Sequence, residues 1–125
     1  MFIDVIWGND DKTLIVQTFH PGWTIVDFRE SVRLVLSMIE DQNHIVDVIV
    51  DMTHPEVNIS QMPVAGATAR ATIPENMGRM IMANNYRFVV MLSRTAQIFF
   101  PGLAQRLHFV ADVDAAYEQL ANKNR

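Results

Sequence analysis

The chain has 125 residues, half of them hydrophobic, with 10 basic and 14 acidic residues for a net charge of −4, and no cysteine. That length suits a single domain, residues 1–125, which needs no covalent staple to hold its core. Lack of cysteine excludes disulfides, thiolate nucleophiles and Cys-based zinc sites. The scattered basic residues argue against a nucleic-acid binder, which needs a basic stripe to neutralise phosphates.

The first residues, Met1 to Trp7, lack the basic flank and small-residue cleavage site of a signal peptide. The longest apolar stretch, Phe88 to Leu92, is too short to cross a bilayer. A cytoplasmic protein that does not span a membrane is therefore expected.

In chain order, the apolar run at 2–7 ends in the turn cluster Gly8-Asn9-Asp10-Asp11, and residues 13–19 (TLIVQTF) form a second β-branched run. The short link between them predicts an antiparallel hairpin. After the break at His20-Pro21-Gly22, Thr24 is placed to cap a helix over about 24–41. Asp27 lies in its first turn, where the helix dipole favours a negative charge. Phe28, Val32, Val35, Leu36 and Ile39 recur at helical spacing on its apolar side.

Residues 45–51 (IVDVIVD) form a nearly continuous β-branched run, the pattern of a central strand buried on both faces. A loop through His54-Pro55 leads to a helix over about 61–73, with Ser60 as N-cap, Pro63 in the first turn and Pro74 as the stop. Its side chains are mostly small. Met80 to Ala83 reads as a short strand. From Tyr86 to about Ile98 the length of the segment and the lack of turn signals favour a helix, although Phe88 to Leu92 alone reads equally as a strand. Leu103 to Leu107 reads as a helical turn and His108 to Ala111 as a last strand. Asp112 then caps a terminal helix with Val113, Ala116, Tyr117 and Leu120 in one stripe. The expected fold is α/β: a mixed, largely parallel sheet of about five strands, opened by a hairpin and packed with about four helices.

The hairpin, the first helix, the strand closing on Asp51-Met52-Thr53 and the capped helix after it resemble, in their order, the STAS domain superfamily. The pieces Val48-Ile49-Val50-Asp51-Met52, Pro74-Glu75-Asn76-Met77-Gly78 and Arg106-Leu107-His108-Phe109-Val110 are closer to its SpoIIAA-like branch. In anti-sigma factor antagonists of that superfamily a serine at the start of the next helix is phosphorylated, and the family's spacing sets that position on Ser60. Ile59 stands where the family has an acidic residue, and Gln61-Met62-Pro63 where it has Ser-Gly-Leu. The resemblance implies a non-enzymatic regulatory or protein-interaction module whose partner is another protein or a second copy of the chain.

The candidate site residues follow from strand ends, where open α/β sheets collect ligands. Asp51 and His54 leave one strand and Asn84 and Asn85 the next, forming a candidate crevice; Thr53 and Ser60 are the candidate phosphate-facing or modified hydroxyls. The plainer alternative is that Asp51 binds loop amides, Thr53 stabilises a turn and Ser60 only caps. The four histidines show no metal-ligand spacing, and Asp51 with His54 supplies at most two ligands where zinc wants three or four. Ser60, His54 and Asp51 lack a G-x-S-x-G elbow, so no catalytic residue, metal or cofactor is expected. Phe88, Met91, Leu92, Phe99 and Phe100 belong to a stretch with little polar face, which reads equally as a core helix covered by the terminal helix or as a candidate dimer face or pocket for a small apolar or amphipathic molecule. Eight methionines suit ordinary core filling first and such an adaptable surface second.

Overall fold

The computed structural model describes residues 2–54, 73–84 and 106–122. Five strands form one sheet in the order β1-β2-β3-β4-β5. They are β1 (Ile3–Trp7), β2 (Leu14–Phe19), β3 (Val46–Asp51), β4 (Met77–Ala83) and β5 (Leu107–Val110). β1 and β2 pair antiparallel, and every later neighbour is parallel. The mixed, largely parallel sheet opened by a hairpin is thus present.

Two helices, not four, occur among the described residues: α1 (Ile25–Glu40) and α2 (Val113–Ala121). The helices expected near 61–73 and 86–98 fall outside those residues, except that Ile73 lies in irregular backbone.

The hairpin loop is closed by Asn9, whose side chain donates to Thr13 Oγ1 at 2.8 Å and accepts from the Thr13 amide at 3.1 Å. Gly22, at φ 91°, takes a conformation that side-chain-bearing residues resist, and so turns the chain from β2 into α1. Thr24 and Asp27 then form a reciprocal capping box, each side chain accepting the other's amide at 3.1 Å. Phe28, Ser31, Val35 and Ile39 are the buried residues of α1. Of the expected stripe, Phe28, Val35 and Ile39 are buried while Val32 and Leu36 are half-buried, and Ser31 takes a buried place beside them.

The C-terminal end of α1 has no basic residue in its last turn. Asn76 does that work from a distance. Its Nδ2 donates to the carbonyls of Ile39 at 2.7 Å, Gln42 at 3.2 Å and His44 at 3.0 Å. The Ile39 carbonyl also accepts the Gln42 amide at 3.0 Å, so Asn76 adds a second donor at the helix end and ties the following loop to it.

β4 begins at Met77, three residues before the strand expected from the sequence. The register explains the difference: Val46 pairs with Met77 but Val48 with Met80, so Gly78 and Arg79 together oppose Asp47. This is a bulge, an extra residue on one strand that bends it locally. Asp47 Oδ1 accepts the Arg79 amide at 2.7 Å and so takes the place of the missing ladder bond. A Cβ at Gly78 would run into that carboxylate oxygen and approach Ile45 Cγ2 to 2.8 Å. Glycine is required there by close approach. Leu107, expected to close a helical turn, instead pairs with Met80 as the first residue of β5.

α1 packs on one face of the sheet and α2 on the other. The larger core includes Ile3, Ile15, Phe19, Val46, Val48 and Val50 under α1. Phe19 meets Trp23 edge-on at 5.2 Å between ring centroids, and Phe28 completes the aromatic group. The smaller core joins Leu14, Ile49 and Ile81 to Ala116 of α2. β3 is therefore buried on both faces, as its β-branched run predicts. Tyr117 does not share the α2 stripe: it is 42% exposed, and the closely packed residue is Ala116. Arg79 also closes α2, donating to the carbonyls of Gln119 at 3.1 Å and Leu120 at 3.3 Å.

Candidate functional site

The carboxyl ends of β2, β3, β4 and β5 lie along one edge of the sheet, and antiparallel β1 starts there. Asp4, His20, Asp51, Thr53, His54 and Asn84 therefore come to the same edge, with Thr18, Asp51, Ala83 and Val110 in register across it. The ladder continues to the edge through the Met52 amide on the Ala83 carbonyl at 2.8 Å and the Asn84 amide on the Val110 carbonyl at 3.1 Å.

Asp51 and Thr53 bind each other. Asp51 Oδ1 accepts from the Thr53 amide at 3.0 Å and from Thr53 Oγ1 at 2.6 Å, closing a turn on the last residues of the central strand. A carboxylate two residues before an amide commonly makes this bond. His54 turns to His20 instead, with ring centroids 5.2 Å apart and planes tilted by 54°. His20 Nε2 lies 2.8 Å from Asp4 Oδ2, with the two side chains 35% and 61% exposed. The edge thus presents two adjacent imidazoles beside a carboxylate, open to solvent and suited to polar recognition.

Asn84 is 2% exposed, and neither its Oδ1 nor its Nδ2 has a hydrogen-bond partner among the described residues. Alternation along β4 sets it on the side of Met82, opposite the side that carries Ala83 and, on β3, Asp51. Asp51 and Asn84 share an edge but not a face. Ser60, Asn85, Phe88, Met91, Leu92, Phe99 and Phe100 lie outside the described residues.

The strand order also changes the argument for a crevice. Ligands gather at strand ends where the order of a parallel sheet reverses and neighbouring connections diverge. Here the order is sequential with no reversal. Among the described residues the polar side chains form a line along the edge.

Sequence reasoning missed Asp4, and it treated His20 only as one histidine without metal-ligand spacing. The signal was available in the hairpin: Asp4 lies opposite Thr18, which puts His20 on the diagonal two residues on. No group of three or more His, Asp or Glu side chains arranged to hold a metal occurs among the described residues, and none of their helices is long and apolar enough to cross a membrane.

A second feature lies under α1. A cavity of about 50 Å³, partly open to the surface, is lined by Val32, Leu36, Ile73, Met77 and Met80 with Gln17 of β2. Gln17 is 5% exposed and its Nε2 donates to Ser31 Oγ at 2.8 Å. Ser31 Oγ in turn donates to the Phe28 carbonyl at 2.8 Å.

Set beside known proteins, the chain matches no protein-family model, no curated protein and no solved structure.

Proposed function

We propose that this domain is a non-enzymatic regulatory module of the STAS, SpoIIAA-like type, which docks a protein partner or a second copy of itself through its polar sheet edge. The observation that carries this reading is the turn at the exit of the central strand. The triplet Asp51-Met52-Thr53, where the resemblance places a D-L-S-like motif, closes on itself by two hydrogen bonds. The order of hairpin, helix and strand closing on Asp51 supports the same reading.

Thr53 and His54 are exposed beside this turn, so a partner reaches them without any rearrangement of the core. The turn is also chemically sensitive. A phosphoryl group on Thr53 would add a charge of about −1.5 to −2 next to the Asp51 carboxylate that now accepts its proton. Repulsion would open the turn and change the surface offered to a partner. Ser60 is the alternative position implied by the resemblance.

The test combines native mass spectrometry with phosphosite mapping after incubation in an extract of the cells that make the protein. A dimer or a defined complex is expected, together with phosphate on Thr53 or Ser60. Thr53→Glu should change the dissociation constant at least about tenfold, the effect of losing one or two charge-assisted contacts. A chain that stays monomeric, binds nothing and takes phosphate nowhere, with Thr53→Glu unchanged from wild type, overturns the reading.

A further inference from the structure

We infer that β1 is a self-association strand: two copies of this chain pair their β1 strands antiparallel and join their sheets into one. The contact uses the side of β1 that faces away from β2, and is separate from the polar residues at the strand ends.

β1 is the outermost strand of the sheet and has β2 as its only neighbour there. In an antiparallel pair, residues whose N–H and C=O both point to the neighbour alternate with residues whose groups both point away. The His20 amide donates to the Phe2 carbonyl at 2.8 Å, and the Gly8 amide to the Leu14 carbonyl at 2.7 Å. The even-numbered residues of β1 therefore serve β2, and Ile3, Val5 and Trp7 turn their N–H and C=O outward. No hydrogen bond from the described residues reaches that side.

Outer strands are commonly protected from other chains by proline, lysine or a bulge. β1 (IDVIW) has no proline or lysine, and its register with β2 runs without a bulge. Its side chains are apolar apart from Asp4: Ile6 is 59% exposed, and Val5 and Trp7 are half-buried at the rim of the larger core. The flank of α1 above β1 is apolar too. Val32 and Leu36 line the cavity on the β4 side, so Leu34 and Met38, about 200° round the helix from them, overhang β1. Leu34 is 41% exposed. Five-residue strands alone fall short of the roughly 1,200 Å² of a specific interface, and this flank adds to them.

Outward residues must pair with outward residues, so the available registers differ by steps of two. With Val5 of one copy opposite Val5 of the other, Ile3 meets Trp7 and every outward group has a partner. One step to one side sets Asp4 directly against Asp4, like charges opposed. One step to the other side sets Ile3 against Asn9 of the hairpin turn and leaves its bonds unmade. The Val5-centred register is the one that fits, and it places Ile6 opposite Asp4 of the other copy. Its two-fold axis closes the contact as a dimer, with no surface left over for a filament.

Sedimentation velocity across a concentration series tests the association, which should have a dissociation constant on the order of 100 μM, that of a transient contact. Amide hydrogen exchange should slow at Ile3, Val5 and Trp7 as concentration rises. The register is tested at exposed Ile6, where substitution spares the core. At low salt Ile6→Lys should tighten the dimer roughly threefold or more, because the new cation faces Asp4 twice in the symmetric pair, and Ile6→Glu should weaken it by a similar factor. Thr53→Glu, which probes the docking edge, should leave this dimer unchanged. A chain still monomeric at about 1 mM, or a dimer in which the three amides exchange as in the monomer, overturns the inference. So do Ile6→Lys and Ile6→Glu acting in the same direction, and a dimer that Thr53→Glu disrupts.

Discussion

Replacing Gly78 by alanine should destabilise the protein through one identifiable atom pair. The added Cβ would meet Asp47 Oδ1, the oxygen that accepts the Arg79 amide at 2.7 Å. Ile45 Cγ2 is the other near atom, but Ile45 is 61% exposed and can rotate away. The carboxylate must therefore move and give up its bond. A hydrogen bond to a charged acceptor contributes about 1.5–3 kcal/mol. Alanine recovers about 0.4–1 kcal/mol by restricting the unfolded chain. The net expectation is a loss of about 1–2 kcal/mol, or roughly 3–6 °C in Tm for a domain of this size.

The double-mutant cycle makes the cause testable. Asp47→Ala alone should cost about 1.5–3 kcal/mol, because it leaves the Arg79 amide unpaired. In that background Gly78→Ala has no carboxylate to displace and should be neutral or stabilising by up to about 1 kcal/mol. Urea denaturation followed by fluorescence of Trp7 and Trp23 reports all four proteins. An equal cost of Gly78→Ala with and without Asp47 would refute the steric argument and point to the bulge backbone itself.

Three further substitutions probe the connections that hold the frame. Asn76→Ala removes one donor from the carbonyls of Ile39, Gln42 and His44 and should cost about 1–3 kcal/mol in urea denaturation, with faster hydrogen exchange at the end of α1; a loss under half of that would mean water replaces Asn76 freely. Thr24→Ala breaks the capping box and should cost about 1 kcal/mol, read as a Tm decrease that adds to the Asn76→Ala effect because the two ends of α1 are far apart. Ser31→Ala removes the partner of Gln17 Nε2 and should cost about 1–3 kcal/mol, most of which Gln17→Met should restore in the double variant; lack of restoration would show that the serine, not the pair, matters.

Periodicity and turn chemistry made much of the frame legible. Alternating β-branched runs with polar turns foretold the hairpin, and Thr24 with the stripe Phe28, Val35 and Ile39 foretold α1 nearly to the residue. The run at 45–51 announced a strand buried on both faces, and Asp112 announced the start of α2. β4 is longer than its apolar run, because Gly78 and Arg79 interrupt the strand pattern in sequence. In the sheet they are a bulge held by Asp47, a residue 32 positions away from Arg79.

Local chemistry determined the Asp51–Thr53 turn, since a carboxylate and an amide two residues apart need only their own backbone to meet. Tertiary structure alone decided the rest of the edge. Asp4 meets His20 only because the hairpin register places them diagonally, and His54 reaches His20 only because β3 lies beside β2. It also decided that Gln17, one polar letter in a β-branched run, faces α1 and donates to Ser31 there. Sequence periodicity tells which side of an element faces inward. What that side meets depends on contacts between residues far apart in the chain, and those are set when the elements pack together.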